Sequence, residues 1–137
     1  MGRVLGIDYG DSRVGLALSD PLKIIASPYR TIKNQGSDLL IDDIKNIIIQ
    51  ETIEYIVLGL PIGLRGQETQ QTTKVRNFAN ILSSLDIVIH LQDERLSSIS
   101  ATKSLVQQNI KTGYNKQMID KTAAAILLQQ FIDTLNR

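Results

Sequence analysis

Tyr55-Ile56-Val57-Leu58-Gly59-Leu60 is a continuous apolar run. It is far shorter than the roughly 20 residues that span a bilayer, and too short for an ordinary helix. It therefore predicts a strand covered on both faces. Such a strand belongs inside a sheet with helices on either side, which is an α/β arrangement. The flanks agree. Leu40, Ile44, Ile47 and Ile48 recur at helical spacing and predict a helix to about Glu51, with Ser37 or Asp38 as its cap. Val75, Phe78, Ala79 and Leu82 mark a second amphipathic helix, with Lys74 and Arg76 on its solvated side. At 137 residues the chain reads as one domain, 1–137, large enough to bury a core unaided.

Ahead of that helix, Arg3 to Ile7 is a short apolar run that ends in the turn-forming Asp8-Tyr9-Gly10-Asp11. Arg13 to Ser19 reads as the returning strand of a hairpin. Ile24 to Ile32 is a third strand, and Pro28 within it suits a sheet edge. Asp86 to Leu91 predicts a further buried strand, with His90 partly exposed on it. Ser97 or Ser98 can cap a short helix through Val106, Gln107 to Asn115 is a polar loop, and Lys116 to Leu135 is a final helix with an Ala-rich stripe. The fold predicted is α/β: a five-stranded mixed sheet, an antiparallel three-strand meander plus two parallel strands, with helices on both faces.

Composition narrows the chemistry. Hydrophobic residues are 42% and charged residues 21%, the balance of a globular protein. Cysteine is absent and histidine occurs once, which excludes thiolate and multi-histidine metal sites. The net charge is +1, so any nucleic-acid surface is local. Aromatic residues are 4%, against a broad stacking platform for single strands. The N-terminus lacks the pattern of a signal peptide, and a cytoplasmic protein is expected.

In a sheet of this kind ligands bind beyond the carboxyl ends of the parallel strands. Asp8 ends the first strand, Glu94 follows the last with Asp93 beside it, and Asp120 borders the apolar stripe of the final helix. Taken singly, each has an ordinary role: Asp8 in the turn, Asp93-Glu94-Arg95 at a helix start, Asp120 paired with Lys116 four residues earlier. Taken together they form an all-oxygen donor set suited to Mg²⁺ or Mn²⁺ and to phosphodiester cleavage. Arg13, Arg65, Arg95, Lys111 and Lys116 are candidate phosphate contacts. Gly59 to Gly66 lacks the lysine and hydroxyl of a Walker A loop, but its backbone N–H groups and Arg65 could face a phosphate.

Gly6-Ile7-Asp8-Tyr9-Gly10, with Arg13, Gly15, Ala17, Ser19 and Asp20, resembles the opening of the bacterial YqgF (RuvX) family. So do Gly59-Leu60-Pro61, Val75-Arg76-Asn77-Phe78-Ala79, Asp93-Glu94-Arg95-Leu96-Ser97-Ser98, and Ile119-Asp120 followed by Ala123-Ala124 and Leu127-Leu128-Gln129. The resemblance is collinear over nearly the whole chain. It implies an RNase H-like nuclease domain related to RuvC resolvases, and processing of the 5′ end of pre-16S rRNA. Asp8, Glu94 and Asp120 match the family's acids, with Glu94 chosen over Asp93 on the resolvase pattern. The chain departs from the family after Gly-Leu-Pro, where Ile62-Gly63-Leu64-Arg65-Gly66 replaces an Asn and an Asp-Gly pair. Two other readings accompany this one: a Holliday-junction resolvase acting on branched DNA, and a non-catalytic RNA-binding assembly factor. A monomer or weak homodimer is expected. An actin-like phosphotransferase needs a second comparable domain, for which 137 residues leave no room.

Overall fold

The computed structural model describes residues 2–94 and 116–136. The expected helix to Val106 and the loop Gln107 to Asn115 lie outside the described residues. Strand β1 (Arg3–Tyr9), β2 (Arg13–Ser19) and β3 (Ala26–Lys33) are followed by α1 (Ser37–Gln50), β4 (Ile53–Leu60), α2 (Gln70–Leu82), a 3₁₀ turn (Ser83–Leu85), β5 (Val88–Asp93) and α3 (Lys116–Leu135). The five strands form one sheet in the order β3-β2-β1-β4-β5. The first three make the antiparallel meander, and β4 and β5 run parallel to β1. The predicted mixed sheet is the one observed.

The pleat divides the apolar residues between two cores. Leu5, Ile7, Leu16, Ile56 and Leu58 pack with Leu40, Ile44 and Ile47 of α1 and Val75, Phe78 and Leu82 of α2. Val4, Ala17 and Val57 pack on the other face with Ala123, Ala124, Leu127, Leu128 and Ile132 of α3. Gly6 lets that helix come close: a Cβ there would lie 2.9 Å from Leu128 Cβ and 3.2 Å from the Ala124 carbonyl oxygen. Among the described residues, no helix is long and apolar enough to cross a membrane.

Three local expectations change. Strand β5 is not buried: it begins at Val88, which is 60% exposed, and it pairs only with β4, leaving it at the sheet edge. A short apolar run has the same appearance in a central strand and in an edge strand, and pairing alone separates them. Accordingly His90 is exposed, with its ring 5.1 Å from Tyr55 and 5.2 Å from Phe131. Strand β3 starts later than Ile24, because the Asp20 carboxylate accepts the amides of Ile24 and Ile25 at 2.7 and 2.8 Å. Neither Ser37 nor Asp38 caps α1. Gly36 does so at φ 112, a left-handed conformation suited to glycine, and no side chain bonds the helix end. Helix α2 is instead capped by Thr69, which exchanges hydrogen bonds with Thr72 while the Thr72 hydroxyl donates to the Pro61 carbonyl.

Phe78 is 2% exposed and stacks on Tyr9 with ring centroids 4.5 Å apart, so α2 bears directly on the end of β1. Phe78→Ala is expected to cost about 3–5 kcal/mol. The fall would be read as a lower urea midpoint at unchanged slope.

Candidate functional site

Residues alternate sides along β1. Ile7 faces α1 and α2, so Asp8 faces α3, where it is 8% exposed at the carboxyl end of the strand. Its antiparallel partner on β2 is Gly15. On the other side the parallel register pairs Ile7 with Leu58, which brings Asp8 beside Gly59. Asp8 therefore stands between two glycines, roughly 5 Å from each along the sheet.

Each glycine is overlaid by one of the other two acids. A Cβ on Gly15 would lie 2.0 Å from the Asp120 carbonyl oxygen, so α3 rests on bare backbone at Asp120. A Cβ on Gly59 would lie 2.5 Å from Oε1 of Glu94. Glu94, Asp8 and Asp120 thus reach the same rim over three adjacent strands. Asp93 belongs to the opposite face by alternation: Ile89 packs towards α1 and α2, which directs Leu91 and Asp93 the same way.

The three carboxylates do not form a closed cage. Among the described residues no three acidic or histidine side chains are grouped as they would be around one metal ion. Asp120 instead accepts a hydrogen bond from Arg13, Nε to Oδ2, at 2.7 Å. Arg13 thus balances an acid in this conformation.

Arg65 is exposed in the connection between β4 and α2. Three amides of that connection are bonded within it. It is a small hairpin closed by an Ile62–Glu68 bridge, with Gly63 N bonded to the Gln67 carbonyl, Arg65 N to the Gln67 side chain and Gly66 N to the Gly63 carbonyl. Arg95, Lys111 and the side chain of Lys116 lie outside the described residues. The solvated side of α2 is as expected: Lys74 meets Asp11 at 3.1 Å and Arg76 meets Glu68 at 2.8 Å, all on the surface. Gly15 and Gly59 stood in the sequence only as motif and loop residues, not as the floor beneath the acids. The signal that could have shown that role is a glycine inside a strand, which often marks close approach of another segment.

Residues 2–134 match the profile of the family described as RuvX, Holliday junction resolvase. A Maridesulfovibrio salexigens protein named "Putative pre-16S rRNA nuclease" is 42% identical over 131 residues, which is 95% of this chain and 97% of the relative. A Dictyoglomus thermophilum protein of the same name is 40% identical over 133 residues, 96% of each chain. Among solved structures, Thermus thermophilus RuvC with a Holliday junction substrate is similar at a TM-score of 0.64 and 14% identity, covering 99% of this chain and 96% of that one. A fowlpox virus resolvase complexed with Holliday junction DNA is similar at 0.58 and 10%, covering 98% and 99%. At these identities the two structures speak for the fold, an RNase H-like α/β domain.

The two glycines are expected to respond differently to a methyl group. In Gly15→Ala the new atom meets helix backbone, which must move, and stability should fall by about 1–3 kcal/mol or more. In Gly59→Ala it meets the side-chain ends of Glu94 and Leu127, which can shift without moving backbone, so stability should fall by about 1 kcal/mol. Urea unfolding of both variants measures the difference.

Proposed function

The chain belongs to the RuvX family, also called YqgF, and on that footing we propose that it is a metal-dependent endonuclease that processes the 5′ end of pre-16S rRNA. The observation that supports this reading is the position of Asp8 between Gly15 and Gly59 at the carboxyl rim of the sheet, with the Asp120 main chain over the first glycine and the Glu94 carboxylate over the second. Oxygen donors without thiol or imidazole fit Mg²⁺ or Mn²⁺, and the bare glycines leave room for carboxylates to turn inward. Asp8, Glu94 and Asp120 are the proposed ligands. Bound there, the ions would activate water and stabilise the charge developing on the scissile phosphate and the leaving oxygen.

The chain's own residues then divide the work. Asp8, rooted in the central strand, is the fixed point. Glu94 closes the site from the β5 side and Asp120 from the helix side. Arg13, Arg65, Arg95, Lys111 and Lys116 are proposed to hold phosphates of the RNA. A net charge of +1 makes local contacts, and a partially assembled ribosomal particle in the cytoplasm, the source of affinity. The family's description favours a second reading, a junction resolvase with the same chemistry. Paired cuts on one junction require two sites, so a stable symmetric dimer that cleaves branched DNA in preference to RNA would decide for it.

Two measurements test the nuclease. Mg²⁺ or Mn²⁺ should raise the melting temperature of the wild type and not that of Asp8→Asn, because a cation relieves repulsion among crowded carboxylates. Equal stabilisation of both would refute a site built on Asp8. On a pre-16S 5′ fragment, Glu94→Gln should lose about 10²-fold or more in cleavage rate. It should retain its RNA affinity, whereas Asp93→Asn should retain both. Tight binding by folded wild type with no cleavage, even on the precursor particle, would favour the assembly factor.

A further inference from the structure

The candidate site contains one ion pair that the proposed chemistry leaves unexplained. Arg13 and Asp120 are 107 positions apart in sequence, yet Nε and Oδ2 meet at 2.7 Å with side chains 37% and 19% exposed. Half-burial at this distance makes the pair more than a screened surface contact. Asp120 is also the acid whose main chain is pressed against Gly15, directly opposite Asp8.

The backbone on both sides of the pair is fixed. Arg13 opens β2 opposite Lys33. The turn before it is tied to Asn34, whose amide donates to the Ser12 carbonyl and whose Nδ2 donates to the Gly10 carbonyl, both at 2.9 Å. On the helix side, Asp120 cannot retreat without lifting α3 from Gly15. The freedom that remains lies in the two side chains. A guanidinium is a planar fork of five donors that binds phosphate as readily as carboxylate. With over a third of its surface exposed, Arg13 can exchange one for the other while its backbone stays in place.

We propose that Arg13 is a positioning residue that acts as a stand-in cation: it neutralises Asp120 until a substrate phosphate draws the guanidinium away, and only then does Asp120 become a full ligand for the divalent ion. This rests on the metal-nuclease reading above. The physical basis is competition. A monovalent guanidinium and a divalent ion are both attracted to the same carboxylate and repel each other across it, in a place where water screens them incompletely. The consequence is reciprocal coupling: nucleic acid tightens metal binding, and metal tightens nucleic-acid binding by the same factor. Cleavage is thereby confined to moments when substrate is in place.

The test reads metal binding directly, with no turnover. Free Mn²⁺ is titrated by electron paramagnetic resonance against wild type, Arg13→Gln and Arg13→Lys, each with and without a short phosphorothioate RNA. Thermal melts first establish that each variant is folded, and Arg13→Lys serves if Arg13→Gln is not. Without RNA, Arg13→Gln should bind Mn²⁺ at least about 5-fold more tightly than wild type, with Arg13→Lys between them. RNA should tighten Mn²⁺ binding to wild type by a similar factor and change Arg13→Gln little. Mn²⁺ binding that is unchanged or weaker in Arg13→Gln would overturn the proposal, since Arg13 would then orient Asp120 for the ion and not compete with it. RNA that binds wild type without altering its Mn²⁺ affinity would overturn it equally. No Mn²⁺ bound by any form, with or without RNA, would remove the metal-nuclease reading itself.

Discussion

The close approach of α3 to the sheet is the contact on which the rest of the structure turns. Helix and strands meet here backbone against backbone, through Gly6 below Ala124 and Leu128 and through Gly15 below Asp120. Side chains of ordinary size at these strand positions would hold the helix further off, since a Cβ there would already clash with it. With glycines on the strands beneath it, the helix lies low enough for Asp120, near its start, to reach the level of the strand ends. The Ala-rich stripe, read from the sequence as close-packing, packs with Val4, Ala17 and Val57, and its Ala124 lies over Gly6. Stability and site geometry therefore depend on the same contact. The Phe78–Tyr9 stack on the opposite face holds the end of β1 from below.

Electrostatics at the rim follow from that packing. Bringing three carboxylates to neighbouring strands has a cost in mutual repulsion, and a protein with +1 net charge has no general positive field to offset it. Compensation has to be local. Arg13 meets Asp120, and Lys74 meets Asp11 on the turn just beyond Asp8. The Arg13 pair is the more consequential because it is partly buried and joins the β-meander to the final helix. The glycine-rich connection after β4 contributes differently from what its composition suggests. The Gly63 and Arg65 amides close a hairpin on Gln67, and the Arg65 side chain is exposed on it.

Two kinds of information were readable in the chain before any tertiary contact was known. Local periodicity set the element types: the continuous run Tyr55–Leu60 dictated a central strand, and the stripe of α2 dictated a helix face. Residue chemistry narrowed the candidate donors, because a chain with no cysteine and one histidine offers a divalent ion oxygen ligands in the main. Both are properties of a residue and its near neighbours. Where a short-range rule had competitors, it failed in identifiable ways. Ser37 was available as a cap, but the left-handed Gly36 had already placed the chain in the helix. Ile24 and Ile25 suited a strand, but the Asp20 carboxylate took their amides.

What the sequence by itself determined was thus the α/β class, the order of its described elements and the presence of three acids near element ends. Tertiary structure decided the rest. It put β5 at the sheet edge, because exposure depends on what pairs with a strand and not on its composition. It assigned Glu94 to the face of Asp8 and Asp93 to the opposite one, through a pairing register that no window of neighbouring residues contains. It joined Arg13 to Asp120 across 107 positions. It also made Gly15 and Gly59 parts of the site, since the space an absent side chain leaves matters only once another segment fills it. Each of these depends on contacts between residues distant in sequence, which exist only when the sheet and α3 are packed together.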